Sequence, residues 1–444
     1  MGLALEIAGR AAPGEEIEAY VSRTRETDVK VFDGGVESLM VAERAGVGVR
    51  VVVDGRQGFA WAGSLDLDVV DAALADARDN AGFATPDECQ GVATPDEATG
   101  TPAPLDLWSE DLTAVATDAK VALALEVESA TLAADSRVRG VEQAVYGDAL
   151  SESAVANSRG VTAAVQRTTC SCAVSALAGD DEETQTGYGF SAGRAFGDLD
   201  AREAARDAAT RATRLLGASQ IASRRLPVVF DPLVTRSVLA LLGAALSGEA
   251  ILKGRSVFVG RDGEQVADTG LTLSDDPTQA EAFGASSHDS EGVVSRRNEL
   301  IVDGVLRGFL HNTYTGRRSG AGTNGAAVRG FASTPGCGAR ALALAPGARS
   351  AEAVMAAAGD ALYVQSVSGL HSGTNPVSGD FSVGAEGLML RGGAFAEPVR
   401  EVTIASTLPR ILLDVTEVGS DLTWLPGGAA GLTLLIGEMT LSGS

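Results

Sequence analysis

Aromatic residues make up only 5% of this 444-residue chain, and histidine occurs three times, at His288, His311 and His371. No two of those histidines stand three or four residues apart, so the helical H-E-x-x-H pair that sets two imidazoles on one face is excluded. Cysteine is equally sparse: Cys89, Cys170, Cys172 and Cys337 are too few for a disulfide framework. Lysine occurs only at Lys30, Lys120 and Lys253, and arginine forms isolated pairs rather than runs. With a net charge of −24, a surface so acidic repels phosphate backbones, which argues against nucleic acid as a partner. No apolar run is long enough to cross a bilayer; Val238 to Leu246 is the nearest and is short. The N-terminus lacks the basic stretch and long apolar core of a secretory signal, so a cytoplasmic location is expected, without membrane association. No fixed-period repeat occurs.

What is present is small and apolar. Hydrophobic residues reach 45% and glycines number 54, which points to strands, tight turns and close packing of small side chains. The length suggests more than one domain. The pattern predicts an α+β fold, with an N-terminal domain of sheet plus helices over 1–223 and a β-rich C-terminal domain over 224–444. Gly14 to Val21 reads as a short amphipathic helix. Strands follow at Thr27–Phe32, Val36–Val41 and Gly46–Val53, with turns at 33–35 and 43–45, and Asp54-Gly55 signals a hairpin. Helices are expected over 67–80, as one element over 109–134, over 200–216, over 233–247 and over 351–358. Short strands are expected at 256–259, 265–267 and 292–294, and longer ones at 362–367, 381–390, 396–404 and 431–441.

Candidate chemistry concentrates in GLHSGTNPVSGDFSVGAEG, Gly369 to Gly387. This glycine-rich segment sets His371, Asn375, Ser378 and Asp380 around Pro376, then passes into a half-buried strand. It reads as a loop that delivers polar groups to a surface, or as a plain surface turn. The segment GRRSGAGTNGAAVRG, Gly316 to Gly330, matches no phosphate-loop fingerprint. Its Arg317, Arg318 and Arg329 offer donors for a carboxylate or a peptide backbone; the alternative is a mobile surface loop. Gly189-Phe190-Ser191-Ala192-Gly193 fits G-x-S-x-G, yet no apolar helix starts directly after Ser191 as a nucleophile elbow requires. The acidic groups Asp275-Asp276 and Asp289/Glu291 read as solvated turns unless burial separates their pKa values. Cys170 and Cys172 fall on one face of a strand and read as buried small side chains.

Four blocks together resemble the TldD/PmbA family, in its PmbA (TldE) branch: GVGVRVVVDGRQGFA (46–60), GRSVFVGRDGEQVA (254–267), DSEGVVSRRNELIVDGVLRGFLHNTY (289–314) and SGLHSGTNPVSGDFSVGAEG (368–387). The resemblance implies a heterodimeric zinc peptidase that degrades or trims unfolded peptides and leader peptides. Its TldD-type subunit carries the metal on an HExxxH helix and the PmbA-type subunit does not. An ungapped count sets the TldD motif at Leu239, Ala240 and Ala244 here, none of which ligates zinc or acts as a base. The resemblance therefore implies no catalytic residue, no metal and no cofactor in this chain, zinc in a TldD-type partner, and a share in the peptide cavity. His371, Asn375, Ser378, Asp380 and Arg317 are the residues expected to line that groove or the dimer interface, by main-chain and side-chain hydrogen bonds to an extended peptide. Two rival readings remain at this point: a stand-alone hydrolase using Ser191 or a scattered metal site, and a non-enzymatic peptide-binding scaffold.

Overall fold

The computed structural model describes residues 1–180 and 182–443. A short helix, α1 (Gly2–Ala8), precedes two long strands, β1 (Glu15–Phe32) and β2 (Gly35–Val53), and the shorter β3 (Arg56–Ala62). Asp33-Gly34 and Asp54-Gly55 close the two hairpins with all four residues at positive φ, the geometry two-residue hairpin turns require. Helices α2 (Leu67–Phe83), α3 (Glu110–Ala114) and α4 (Thr117–Ala134) lead to β4 (Val138–Asn157), β5 (Thr162–Gly179) and β6 (Thr184–Gly193), and α5 (Ala201–Thr213) ends this half. The six strands form one antiparallel sheet in the order β3-β2-β1-β4-β5-β6.

Side-chain alternation gives the sheet two different faces. Ile17, Ala19, Val29 and Val31 of β1, with Cys170, Cys172 and Val174 of β5, face the helices, α1 and α2 at one end and α4 and α5 at the other. Helix α5 buries Ala201, Ala204, Ala205, Ala208, Ala209 and Ala212 and no larger apolar residue. It lies so close to β6 that a Cβ at Gly187 or Gly189 would come within 2.2 Å or 2.0 Å of a helix carbonyl. The glycines of β6 are thus the physical condition for an all-alanine helix face to dock. The other face of the sheet carries Glu18, Tyr20 and Arg50 and meets the C-terminal half.

That half begins with β7 (Arg224–Phe230), followed at once by α6 (Pro232–Ala245) and α7 (Gly248–Leu252). Then come β8 (Leu273–Asp275), β9 (Asn298–Val302), β10 (Val305–Leu306), α8 (Thr313–Ser319), β11 (Ala327–Val328), β12 (Gly336–Cys337) and β13 (Leu342–Leu344). The chain continues with α9 (Ala351–Ala358), β14 (Ala361–Ser368), α10 (Leu370–Gly373), β15 (Asp380–Arg391), β16 (Ala394–Thr407), α11 (Leu408–Leu413) and β17 (Val415–Val418). Two short strands, β18 (Thr423–Trp424) and β19 (Ala430–Gly431), precede β20 (Leu434–Ser442). The order β16-β15-β14-β7-β20-β17, with Ile404 of β16 paired to Leu441 of β20, closes a barrel. Phe230, Leu362, Val364, Phe381, Ile404 and Leu441 belong to its large core. The fold is α+β with a β-rich C-terminal half.

Several expected elements differ. Gly14 to Val21 is not a helix: from Glu15 it is the start of β1, because pairing to both β2 and β4 outweighs the helix propensity of its Glu and Ala residues. The turn expected at 43–45 is continuous strand, held by the full length of β1. The single helix over 109–134 breaks at Val115-Ala116 into α3 and α4, where Val115 is extended. Runs 256–259, 265–267 and 292–294 are not strands; Gln265 and Val294 make only isolated bridges. Gly316 does not open a loop but lies in α8, an amphipathic turn too short for periodicity to reveal.

Candidate functional site

Between the helix-free face of the N-terminal sheet and the C-terminal half runs a cleft. Its outer part, about 640 Å³, is lined by Glu26 and Asp28 of β1, Asp148 of β4, Arg167 of β5 and the backbone of 426–428. Its inner part, about 270 Å³, is lined by Tyr20, Arg167, His288, Asp289, Arg329 and Arg340. The two parts share Arg167, Gly284 and Arg340 and so are continuous. The outer part is of the scale of small-molecule sites, about 300–1,000 Å³, and the inner part falls just below it.

A buried charge network forms the wall of the inner end. Arg50 donates from Nη2 to Glu18 Oε2 at 2.9 Å and to Glu291 Oε1 at 2.8 Å, and Arg329 Nη1 donates to Glu18 Oε1 at 2.7 Å. All four side chains are at most 2% exposed. Glu291 Oε2 also accepts from the backbone N–H of Thr313, fixing the start of α8. Asp289 accepts from the N–H groups of Glu291, Val293 and Ala327. Burial, and after it the charge of Glu291, pushes the Asp289 carboxyl up to about 7. Asp289 and Glu291, read in the sequence as a solvated turn, are therefore buried, Glu291 ion-paired and Asp289 held by backbone N–H groups. Asp275 likewise accepts from the N–H groups of Arg340 and Ala341 in the interior.

Helix α6 borders the outer end. Asp231 caps it by accepting from Leu233 N at 2.9 Å, while Tyr363 and Arg211 donate to its other oxygen at 2.6 and 2.7 Å. Arg236 reaches Pro426 O and a Cβ on Gly243 would lie 3.2 Å from Ala339; both partners line the cleft. Ala240 and Ala244 are exposed on the same side, whereas Leu239 is 2% exposed in the core. These three positions, to which the TldD resemblance assigns the metal motif, do not fit zinc: none has a donor atom. Among the described residues no group of three or more His, Cys, Asp and Glu side chains is placed to hold a metal ion.

The 369–379 segment connects β14 to β15. Because β14 runs parallel to β7, with Val364 beside Phe230, this loop and the start of α6 lie at the same end of the barrel. His371, Asn375, Ser378 and Asp380 are all exposed. Asn375 Oδ1 accepts from Val377 N and Ser378 N, and Ser378 Oγ donates to Asp380 Oδ2 at 2.6 Å. Arg317 sits elsewhere, donating to Glu97 at 2.8 and 2.7 Å and to Val92 O, and so ties the segment before α3 to α8. Ser191 lies within β6 opposite Cys172, where its Oγ accepts from Asp200 N at 3.0 Å; it is no elbow. Arg50, Glu18, Arg167 and Arg340 escaped the sequence reading. The one available signal was Arg50, an arginine amid the apolar run of β2.

Residues 17–81, 110–216 and 223–443 match the PmbA/TldA metallopeptidase domain 1, central domain and C-terminal domain in turn. The chain is 27% identical over 441 residues to a protein of Escherichia coli named Metalloprotease PmbA, covering 99% of this chain and 94% of that one. A protein of Methanothermobacter thermautotrophicus named Metalloprotease is 28% identical over 440 residues, covering 95% and 92%. The crystal structure of TldE from Thermococcus kodakarensis superposes with a TM-score of 0.90 at 22% identity, covering 100% of this chain and 99% of that one, a likeness of fold.

Proposed function

The chain belongs to the PmbA/TldD metallopeptidase family, and on that premise we propose that it is the metal-free TldE-type subunit of a heterodimeric zinc peptidase. The observation that carries this reading is the bare face of α6. Where a catalytic subunit needs two imidazoles and a carboxylate, this helix offers a buried leucine and two exposed alanines. Zinc in the complex would supply Lewis acidity and activated water from the TldD-type partner. This chain's own residues bind and orient the peptide along the cleft and exclude water from it.

A partner also has a place to dock. From Gly35 to Ala45, β2 pairs among the described residues only with β1 and exposes Val36, Leu39, Met40 and Val41. A long edge strand with apolar residues on both faces is a template for association with another chain. In this reading the complex acts on unfolded or leader peptides in the cytoplasm; His371, Asn375, Ser378 and Asp380 stand at the barrel end beside α6, available to peptide or partner.

The test is co-expression with the TldD-type protein of the same organism, assaying zinc content and unfolded-peptide cleavage for each chain and for the pair. Zinc and cleavage that require the partner, and survive Ser191→Ala, are expected. Cleavage by this chain alone would refute the reading.

A further inference from the structure

We propose that the inner end of the interdomain cleft is a carboxylate site, built by Arg167, Arg329 and Arg340, that takes the C-terminal carboxylate of a bound peptide. The inference rests on the peptide reading above for the identity of the ligand, and on this chain alone for the site.

Three guanidinium groups line one cavity of about 270 Å³. The Arg329 side chain is 0% exposed, yet among the described residues only its Nη1 has an acceptor, Glu18; its Nε and Nη2 are buried without a partner there. The Nε groups of Arg167 and Arg340 are likewise buried and unpartnered. Buried donors without acceptors are costly and rare, and three arginines around one void is not the pattern of a core satisfied by itself. Among the described residues Arg167 is held by carbonyls, those of Phe283 and Ala285, and by no carboxylate. Arg340 donates to His288 O, Ser295 Oγ and Gly325 O, and its nearest carboxylates, Asp275 and Asp289, are each engaged by backbone N–H groups. Burial lowers the pKa of all three arginines, the cost of holding a guanidinium away from water. His288 faces the same cavity and its pKa is also lowered, first by burial and then by Arg340, which disfavours a second positive charge there.

The ligand's chemistry follows. A carboxylate accepts in the plane of the guanidinium fork, and bidentate pairing supplies both charge and the missing acceptors. In the outer cleft Asp28 and Glu26, the latter paired with Arg44, disfavour further negative charge, whereas the Asp148 carboxylate is turned to Lys120 of α4. A ligand with one carboxylate at its leading end and an uncharged or cationic remainder fits that polarity; a polyanion does not. Arg329 also lies over the Tyr20 ring, 4.7 Å from its centroid, which holds the guanidinium in place before ligand arrives.

Calorimetric titration of the isolated chain tests this with an alanine/serine pentapeptide bearing a free C-terminus, the same peptide as its C-terminal amide, and acetate. The free acid is expected to bind at least about tenfold more tightly than the amide, the loss of one charge-assisted contact. Arg167→Met should remove that difference with little effect on amide binding. Arg329→Met should do the same, but it also strips Glu18 of a partner, so Arg167→Met keeps the test decisive if Arg329→Met does not fold. Equal binding of acid and amide, or binding of neither, would overturn the proposal. Acetate competing as well as the peptide would reduce the site to a simple anion pocket and overturn the assignment to a peptide terminus. Failure of cleavage by the pair with acid-selective binding intact would count against the subunit reading and leave the site standing.

Discussion

The Arg50–Glu18–Glu291–Arg329 network joins the two halves and permits a quantitative test. It holds two cations and two anions, all buried, so removing one member leaves an uncompensated charge in the interior. Arg50→Met leaves Glu18 and Glu291 with Arg329 alone; Glu291→Leu leaves two arginines with Glu18 alone. Each single substitution is expected to cost about 3–5 kcal/mol, the range for breaking a buried pair from one side. The double substitution leaves Glu18 with Arg329, one of each sign. What it still loses is the acceptor for Thr313 N–H, worth about 1–3 kcal/mol when buried without a partner. The double variant should therefore be no less stable than either single, and the two effects strongly non-additive. Urea unfolding followed by tryptophan fluorescence and circular dichroism measures all three against the parent. The exposed Arg137–Asp135 pair is the control, where Arg137→Gln should leave the midpoint unchanged. Single effects that add to within about 0.5 kcal/mol in the double variant would refute the reasoning, because they would show no energetic coupling between the two groups.

The raised Asp289 carboxyl predicts a pH dependence of defined sign. With a folded value of about 7 against an unfolded 3.8, the folded state binds the extra proton, so stability is fully present below the unfolded value and is lost as pH rises through 7. At about 1.4 kcal/mol per unit the loss is about 4 kcal/mol at most, and Asp289→Asn should flatten the profile of urea midpoint against pH between about 4 and 8. A slope unchanged in that variant would assign it to other groups. Thiol labelling gives another check: burial pushes Cys170 up to about 12, with Asp198 adding to it, and Cys172 up to about 11. Both should stay unlabelled by Ellman's reagent at neutral pH until the protein is unfolded, with half-exposed Cys89 reacting first.

Arginines in one short segment show where sequence reading stops. Arg317 and Arg329 stand twelve residues apart in a glycine-rich stretch and look alike as carboxylate-binding candidates. The fold pairs Arg317 with Glu97 and turns Arg329 inward, past Glu18, to a cavity. Their partners are 220 and 311 residues away along the chain, beyond any local pattern. Asp289 and Glu291 differ from their sequence expectation for the same reason: a turn sequence looks solvated until a distant part of the chain closes over it.

Local chemistry in the sequence determined a good deal. The Asp54-Gly55 hairpin, the helices over 67–83, 232–245 and 351–358, the strands of the barrel and the lack of metal-binding side chains on α6 all follow from residue type and period. Family membership was legible too, since its blocks are spread along the whole chain. Only the tertiary structure decided that Glu15 to Val21 is strand, that an alanine helix seats on two glycines, and that the cleft ends in three arginines. Each of those depends on which distant surface a residue meets, and burial and pairing outweigh the fraction of a kilocalorie that local preference supplies.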